Sequence, residues 1–308
     1  MLLEGGAGKA CMIRVRIPAT SANLGAGFDC LGLAVNLYNY IDMEESDKVD
    51  ITSSDGTWVP TTTENMIYSS AEHLYNLCGK KFEGLKIVQE NNIPMTRGLG
   101  SSSACIIGGL VGANTLLGSP FSNEEIVNIA SELEGHPDNT TPALLGGIVT
   151  AVLDHNKVYW VKQEVQNALK FIAIIPDFKL STVTARGCLP KEVTHMDARF
   201  NLSRAALFSA SLLQGKYENI KIAVNDRLHQ PYRIKLINHA QEVFDKAYEL
   251  NAYGAYISGA GPTMMAIVDG NDNDFVVKLR KYLGNLQLDG WEIKELSIDN
   301  RGTVVENI

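Results

Sequence analysis

The run Pro94-Met95-Thr96-Arg97-Gly98-Leu99-Gly100-Ser101-Ser102-Ser103-Ala104 carries the residue types of an anion site. Two glycines allow a tight turn that lies close to a ligand. Three hydroxyls follow where a helical pattern begins, expected at 103–117. A helix start offers unpaired N–H groups and the positive end of a dipole, which suits phosphate. The expected helix is rich in Ala, Gly, Ile and Leu and is expected to be buried. Taken alone, the loop also fits an ordinary capped turn. No Gly-x-x-x-x-Gly-Lys-Ser/Thr occurs in the chain, which excludes an ordinary P-loop by motif.

Three further polar segments are punctuated by glycine: Asn23-Leu-Gly-Ala-Gly-Phe-Asp29, Glu132-Leu-Glu134-Gly-His136-Pro-Asp138-Asn139, and Ser258-Gly259-Ala-Gly261-Pro262. Each has a bland reading. Asp29 caps a turn, His136 is structural, residues 132–139 are a helix end followed by an Asx turn, and 258–262 is a hairpin loop.

The elements that must position these segments are read from periodicity and stop signals. Strands are expected at 13–17 (ended by Pro18), 31–43, 85–90, 171–175, 256–258 and 264–268, with a hairpin at 146–153 and 158–161. Helices are expected at 65–78, 103–117, 123–134, 199–213 and 234–250. Arg186 falls in a polar loop and Arg233 just before a helix. The mixture is irregular, without a strict βαβ repeat, so the fold class is α+β rather than doubly wound.

The 308 residues suffice for one large domain or two modest ones. A boundary is expected between 165 and 166, giving units 12–165 and 166–308. Residues 1–11 are Gly-rich and aperiodic and are expected to be an expression scar or a disordered tail, with a natural start at Met12. The net charge of −8 argues against general nucleic-acid or acidic-membrane binding. It leaves room for an anionic small substrate, because a local site can be positive inside an acidic protein. Cys11, Cys30, Cys78, Cys105 and Cys188 are widely spaced with no Cys-x-x-Cys, so neither a zinc ribbon nor a disulfide framework is supported. A reducing cytoplasm fits best. No apolar run reaches the length needed to cross a bilayer.

In order and wording, the four segments together resemble the GHMP kinase superfamily, named for galactokinase, homoserine kinase, mevalonate kinase and phosphomevalonate kinase. Within it, Pro18-Ala-Thr-Ser-Ala-Asn23-Leu-Gly-Ala-Gly-Phe-Asp29 and His136-Pro-Asp138-Asn139 look like the homoserine kinase family. The resemblance implies an N-terminal ribosomal protein S5 domain 2-like unit and a C-terminal ferredoxin-like unit. It implies ATP and Mg²⁺, L-homoserine as substrate, no nucleic-acid or membrane partner, and a homodimer. The implied reaction phosphorylates the homoserine hydroxyl on the route to threonine.

By the same resemblance, the loop from Pro94 to Ala104 wraps the ATP phosphates and Asn65 faces the adenine. Ser102, or Ser101, holds the metal with Glu134; Glu132 is the reserve. Asp138 holds the substrate ammonium, Asn23 and Asp29 the hydroxyl-bearing end and backbone. Arg186 and Arg233 clamp the carboxylate, His136 forms a polar wall, and the Gly259–Gly261 turn closes the site. Thr182 and Asn139 complete the catalytic set with Asp138 and Arg186. Asn139 falls near where mevalonate-type enzymes place an acidic residue, which leaves no carboxylate there to remove the hydroxyl proton. Another small-alcohol GHMP kinase, mevalonate-type included, and a non-catalytic binding protein of this fold stay open at this point.

Overall fold

The computed structural model describes residues 12–164 and 168–308. The expected tail at 1–11 and the expected boundary at 165/166 lie outside the described residues. In chain order the elements are β1 (Ile13–Ala22), β2 (Leu31–Glu45), β3 (Asp50–Ser53), α1 (Met66–Leu77), β4 (Leu85–Glu90), α2 (Ser101–Leu116), α3 (Asn123–Glu134), α4 (Pro137–Leu145), β5 (Ile148–Asp154) and β6 (Lys157–Gln163). There follow β7 (Leu169–Ile175), α5 (Thr182–Gly187), α6 (His195–Gln214), α7 (Ile220–Ala223), α8 (Gln230–Arg233), α9 (Ala240–Glu249), β8 (Gly254–Ile257), β9 (Met264–Asp269), α10 (Phe275–Asn285), β10 (Glu292–Leu296) and β11 (Val304–Asn307). No helix among the described residues is long and apolar enough to cross a membrane.

The described residues form two sheets. The first has the order β11-β1-β2-β4-β3, with β5 on the other end of the long β2 and β6 beyond it. Only the β3–β4 pair is parallel. The second, β10-β7-β9-β8, is antiparallel throughout. Its central strand β7 is buried on both faces. Phe171, Ala173 and Ile175 join the larger core under the first sheet, while Ile172 and Ile174 join the core formed with α9 and α10. A period of two thus assigns alternate residues to different cores. The chain returns at its end to the first sheet, where β11 pairs with β1.

Two departures from the expected elements shape the site. Pro18 does not end β1. The register against β2 slips between Pro18 and Ala19 and the strand continues to Ala22. A bulge accommodates the missing proline N–H, and Thr20–Ala22 thereby reach the functional end of the molecule. Residues 132–139 are not a helix end followed by a turn. Gly135 closes α3 in the left-handed region at φ 88°, His136 is extended, and Pro137 opens a second helix, α4, from its first position. Asp138 and Asn139 therefore sit in the first turn of α4.

Smaller differences have local causes. Arg186 lies in the short helix α5, capped by Ser181 onto the Thr184 N–H, rather than in a loop. The helix expected at 234–250 starts at Ala240, because His239 adopts φ 62°. Helix α2 runs from Ser101 between the sheet and α1. A Cβ at Gly108 would lie 2.3 Å from Ile41 Cδ1, and one at Gly109 2.3 Å from the Ile67 carbonyl oxygen. Only glycines permit that approach, which aims the start of α2 into the space between the two halves.

Candidate active site

A cavity of about 330 Å³ opens there. Of the residues read from the sequence, Asn23, Asp29, Asn65, Met95, Thr96, Arg97, Gly98, Gly100, Ser101, Ser102, Ser103, Glu134, His136, Asp138, Asn139, Thr182, Arg186, Arg233, Gly259 and Gly261 all line it. Pro94, Leu99 and Ala104 do not. Leu99 is fully buried and its carbonyl accepts the Thr20 N–H at 3.1 Å, so it anchors the loop from behind.

One end of the cavity is the start of α2. Gly98 and Gly100 are both left-handed, at φ 77° and 71°. A Cβ on Gly98 would lie 2.3 Å from the Ser258 carbonyl oxygen, and one on Gly100 1.9 Å from Thr20 Oγ1. The Ala104 N–H makes a helical bond to the Gly100 carbonyl, which leaves the N–H groups of Ser101, Ser102 and Ser103 at the open end. No acidic residue occupies the first turn of α2. Such an end attracts anions.

Beside it, Ser102 Oγ donates to Glu134 Oε2 at 3.0 Å and Ser103 Oγ to Oε1 at 3.1 Å. Glu132 is exposed and outside the cavity, whereas Glu134 lines it. Arg97 plays a different part from its neighbours. Its Nε and Nη2 donate to the carbonyls of Pro176 and Asp177, at 3.0 and 2.8 Å. It braces the loop against the second half of the chain. The Gly259–Gly261 turn docks on the same loop: Ser258 Oγ donates to the Gly98 carbonyl at 2.6 Å and the Thr263 N–H to the Arg97 carbonyl at 3.1 Å.

Another part of the cavity is built from paired charges. One ligating atom from each of Asp29, His136 and Asp138 lies within 4.8 Å of the others. His136 Nδ1 is 2.6 Å from Asp138 Oδ1. Burial alone would lower the His136 pKa, but the Asp138 hydrogen bond and charge, with Glu134 and Asp29, raise it above its ordinary value. Arg186 grips Asp29 with both Nη atoms, at 3.2 and 2.8 Å. Arg233 is buried, and burial together with nearby Arg186 presses its pKa down. Its Nη1 donates to the Gly259 carbonyl at 2.8 Å.

Three asparagines of the cavity are engaged in the scaffold. Asn23 Oδ1 accepts the Asp29 N–H at 3.0 Å, and its Nδ2 donates to the Gly259 carbonyl at 2.9 Å. Asn65 caps α1: its Oδ1 accepts the N–H groups of Ile67 and Tyr68, and its Nδ2 donates to the Pro60 carbonyl. Asn139 Oδ1 accepts the Thr20 hydroxyl at 2.8 Å. Thr182 opens α5 at the exposed rim.

The family models for the GHMP kinases N terminal domain and the GHMP kinases C terminal match residues 65–147 and 208–284. A homoserine kinase of Clostridium beijerinckii is 50% identical over 298 residues, which is 96% of this chain and 99% of that protein. The chain belongs to the homoserine kinase family of GHMP kinases. A homoserine kinase of Clostridium botulinum is 46% identical over 298 residues, covering 96% of this chain and 98% of the other. The crystal structure of a homoserine kinase from Cytophaga hutchinsonii superposes with a TM-score of 0.86 at 28% identity, over 99% of this chain and all of that one.

Beyond the sequence motifs, two residues join the site. Within those motifs, Thr20 does not line the cavity but supports it through its bond to Asn139. Gln89 and Asn91 line the cavity near Val59, Pro60 and Met95, and their side-chain nitrogens are buried without a partner. A signal for Gln89 existed in β4: Leu85, Ile87 and Gln89 alternate inward, so a polar side chain occupies the last core-facing position.

Proposed function

We propose that this chain transfers the γ-phosphoryl group of ATP to the side-chain hydroxyl of L-homoserine, giving ADP and O-phospho-L-homoserine, a step on the route to threonine. One observation carries the reading. A single cavity joins a helix start with no acidic residue in its own first turn to a pocket that offers both carboxylates and guanidinium groups. The first suits a triphosphate and the second a zwitterion.

The β- and γ-phosphates lie on the N–H groups of Ser101, Ser102 and Ser103, with the base toward Val59, Pro60, Gln89 and Asn91. The donor set of Ser102 and Glu134 fits Mg²⁺, which takes oxygen ligands and keeps waters and phosphate oxygens for the rest. Magnesium bound there would neutralise phosphate charge. Asp138 receives the substrate ammonium. Arg233 and Arg186 receive the carboxylate, for which a planar fork is suited.

Phosphoryl transfer needs alignment and charge neutralisation more than covalent help. The homoserine oxygen forms a bond to the γ-phosphorus as the bond to the ADP oxygen breaks. Asn139 cannot take up the hydroxyl proton, since its amide is not a base and its Oδ1 already accepts from Thr20. The proton leaves late, to phosphate or water. Orientation between the α2 start and the charged pairs supplies much of the rate. ADP release measured with L-homoserine, mevalonate and other small alcohols, with and without Mg²⁺, tests this: homoserine with Mg²⁺ should turn over fastest, and turnover only with another alcohol would overturn it.

A further inference from the structure

We infer that His229 is a positioning residue for the amino-acid end of the site, its Nδ1 holding the Arg233 guanidinium in the orientation that receives the substrate carboxylate. The inference rests on the role of Arg233 proposed above. His229 is fully buried and does not line the cavity, so it acts only through its neighbours.

Its tautomer is dictated from both sides. Nε2 lies 2.8 Å from the Gly25 carbonyl oxygen, which can only accept, so Nε2 carries the hydrogen. Nδ1 is then a bare acceptor, 3.2 Å from Arg233 Nη1, which can only donate. Burial lowers its pKa, which favours the neutral ring. The turn that carries the ring is fixed by Asp226. That carboxylate accepts the N–H groups of Leu228, His229 and Gln230 and the Asn201 side-chain amide, at 3.0, 2.9, 2.6 and 2.6 Å. Phe28 stacks on the ring with centroids 5.2 Å apart and planes 22° apart. The guanidinium carbons of Arg233 and Arg186 lie 5.2 and 5.6 Å from the Phe28 centroid.

Arg233 Nη1 donates to His229 and Gly259 and Nε to the Ala185 carbonyl at 3.3 Å, so Nη2 carries none of these three bonds in a residue that lines the cavity. The Ala185 carbonyl comes from α5 and the Gly259 carbonyl from the turn after β8. His229 is the side chain that ties the guanidinium to the rigid turn anchored by Asp226. Supporting contacts of this kind set the geometry of groups that bind substrate.

Two conservative variants separate the two ring nitrogens. His229→Asn places an amide oxygen near the position of Nδ1 and loses the bond to Gly25. His229→Gln reaches the position of Nε2 and loses the acceptor for Arg233. The homoserine KM should stay within about threefold of the parent in His229→Asn and rise about tenfold in His229→Gln, with the ATP KM steady in both. Equal shifts in the two variants, or an ATP KM that moves with the homoserine KM, would overturn the inference. Nitrogen NMR of the unmodified protein with labelled histidine needs no variant: a protonated Nδ1 on His229 would also overturn it. The amino alcohol in which hydroxymethyl replaces the homoserine carboxylate separates the two readings. If the parent enzyme used it as well as homoserine, the role of Arg233 would fall and the inference with it. If it is discriminated against and the variants still shift equally, only the role of His229 falls.

Discussion

Thr20 Oγ1 donates to Asn139 Oδ1 across 2.8 Å, tying the end of β1 to the first turn of α4. The same hydroxyl oxygen lies 1.9 Å from where a Cβ on Gly100 would stand. One threonine thus spaces the phosphate loop from the helix that carries Asp138. Thr20→Val keeps the shape and removes the donor. It should lower kcat about tenfold and leave the ATP KM near its original value. Thr20→Val and Asn139→Ala should be strongly non-additive when combined, because they break one contact. Steady-state kinetics of the three variants check this, and additive losses would speak against a shared role.

Gly100→Ala places a side chain in a left-handed backbone and against Thr20. The strain should cost roughly 1–3 kcal/mol of stability. Because the loop must shift, ATP affinity should fall more than homoserine affinity. Denaturant unfolding and calorimetric titration with each ligand give the comparison.

Asp138→Asn should chiefly raise the homoserine KM, since an amide attracts an ammonium less strongly than a carboxylate does. A collapse of kcat with the homoserine KM intact would return Asp138 to the role of general base.

The raised His136 pKa gives a signed pH dependence. A histidine whose folded pKa exceeds its unfolded value of about 6.5 adds stability below that value, and the contribution is lost as pH rises through the folded pKa. The Tm gap between the protein and His136→Gln should therefore be larger at pH 6 than at pH 8.5. As His136 loses its proton, Asp138 becomes freer for the substrate ammonium, so the homoserine KM should fall over the same interval. A flat profile for both quantities would contradict the pairing.

Gln89 carries a buried nitrogen with no partner. Replacing an unsatisfied buried donor with an apolar side chain of similar length stabilises a protein on the order of 1 kcal/mol. Gln89→Met should raise the Tm, raise the ATP KM, weaken the preference for ATP over other nucleoside triphosphates, and spare the homoserine KM.

Contiguous segments were legible before the fold was known. Residues of the glycine loop, the 132–139 segment and the 258–262 turn line one cavity, and α3 spans the residues its cap and periodicity predict. Residues that act through a distant partner were hidden. Thr20 lies beyond a proline that reads as a strand end and becomes a bulge. The start of α4 follows a Gly-His-Pro run that reads as a turn. Arg97 sits inside the phosphate-loop motif yet faces the carbonyls of Pro176 and Asp177, about eighty residues onward. The resemblance makes Asn65 and Asn23 ligand contacts; both line the cavity, and their amides also bond the backbone around them.

A crystal of the protein with Mg²⁺, a non-hydrolysable ATP analogue and L-homoserine is the most direct measurement. The γ-phosphate should rest on the N–H groups of Ser101, Ser102 and Ser103, with the homoserine carboxylate at Arg233 and its ammonium at Asp138. Phosphates bound elsewhere, or homoserine lying with its carboxylate toward Asp138, would contradict the account.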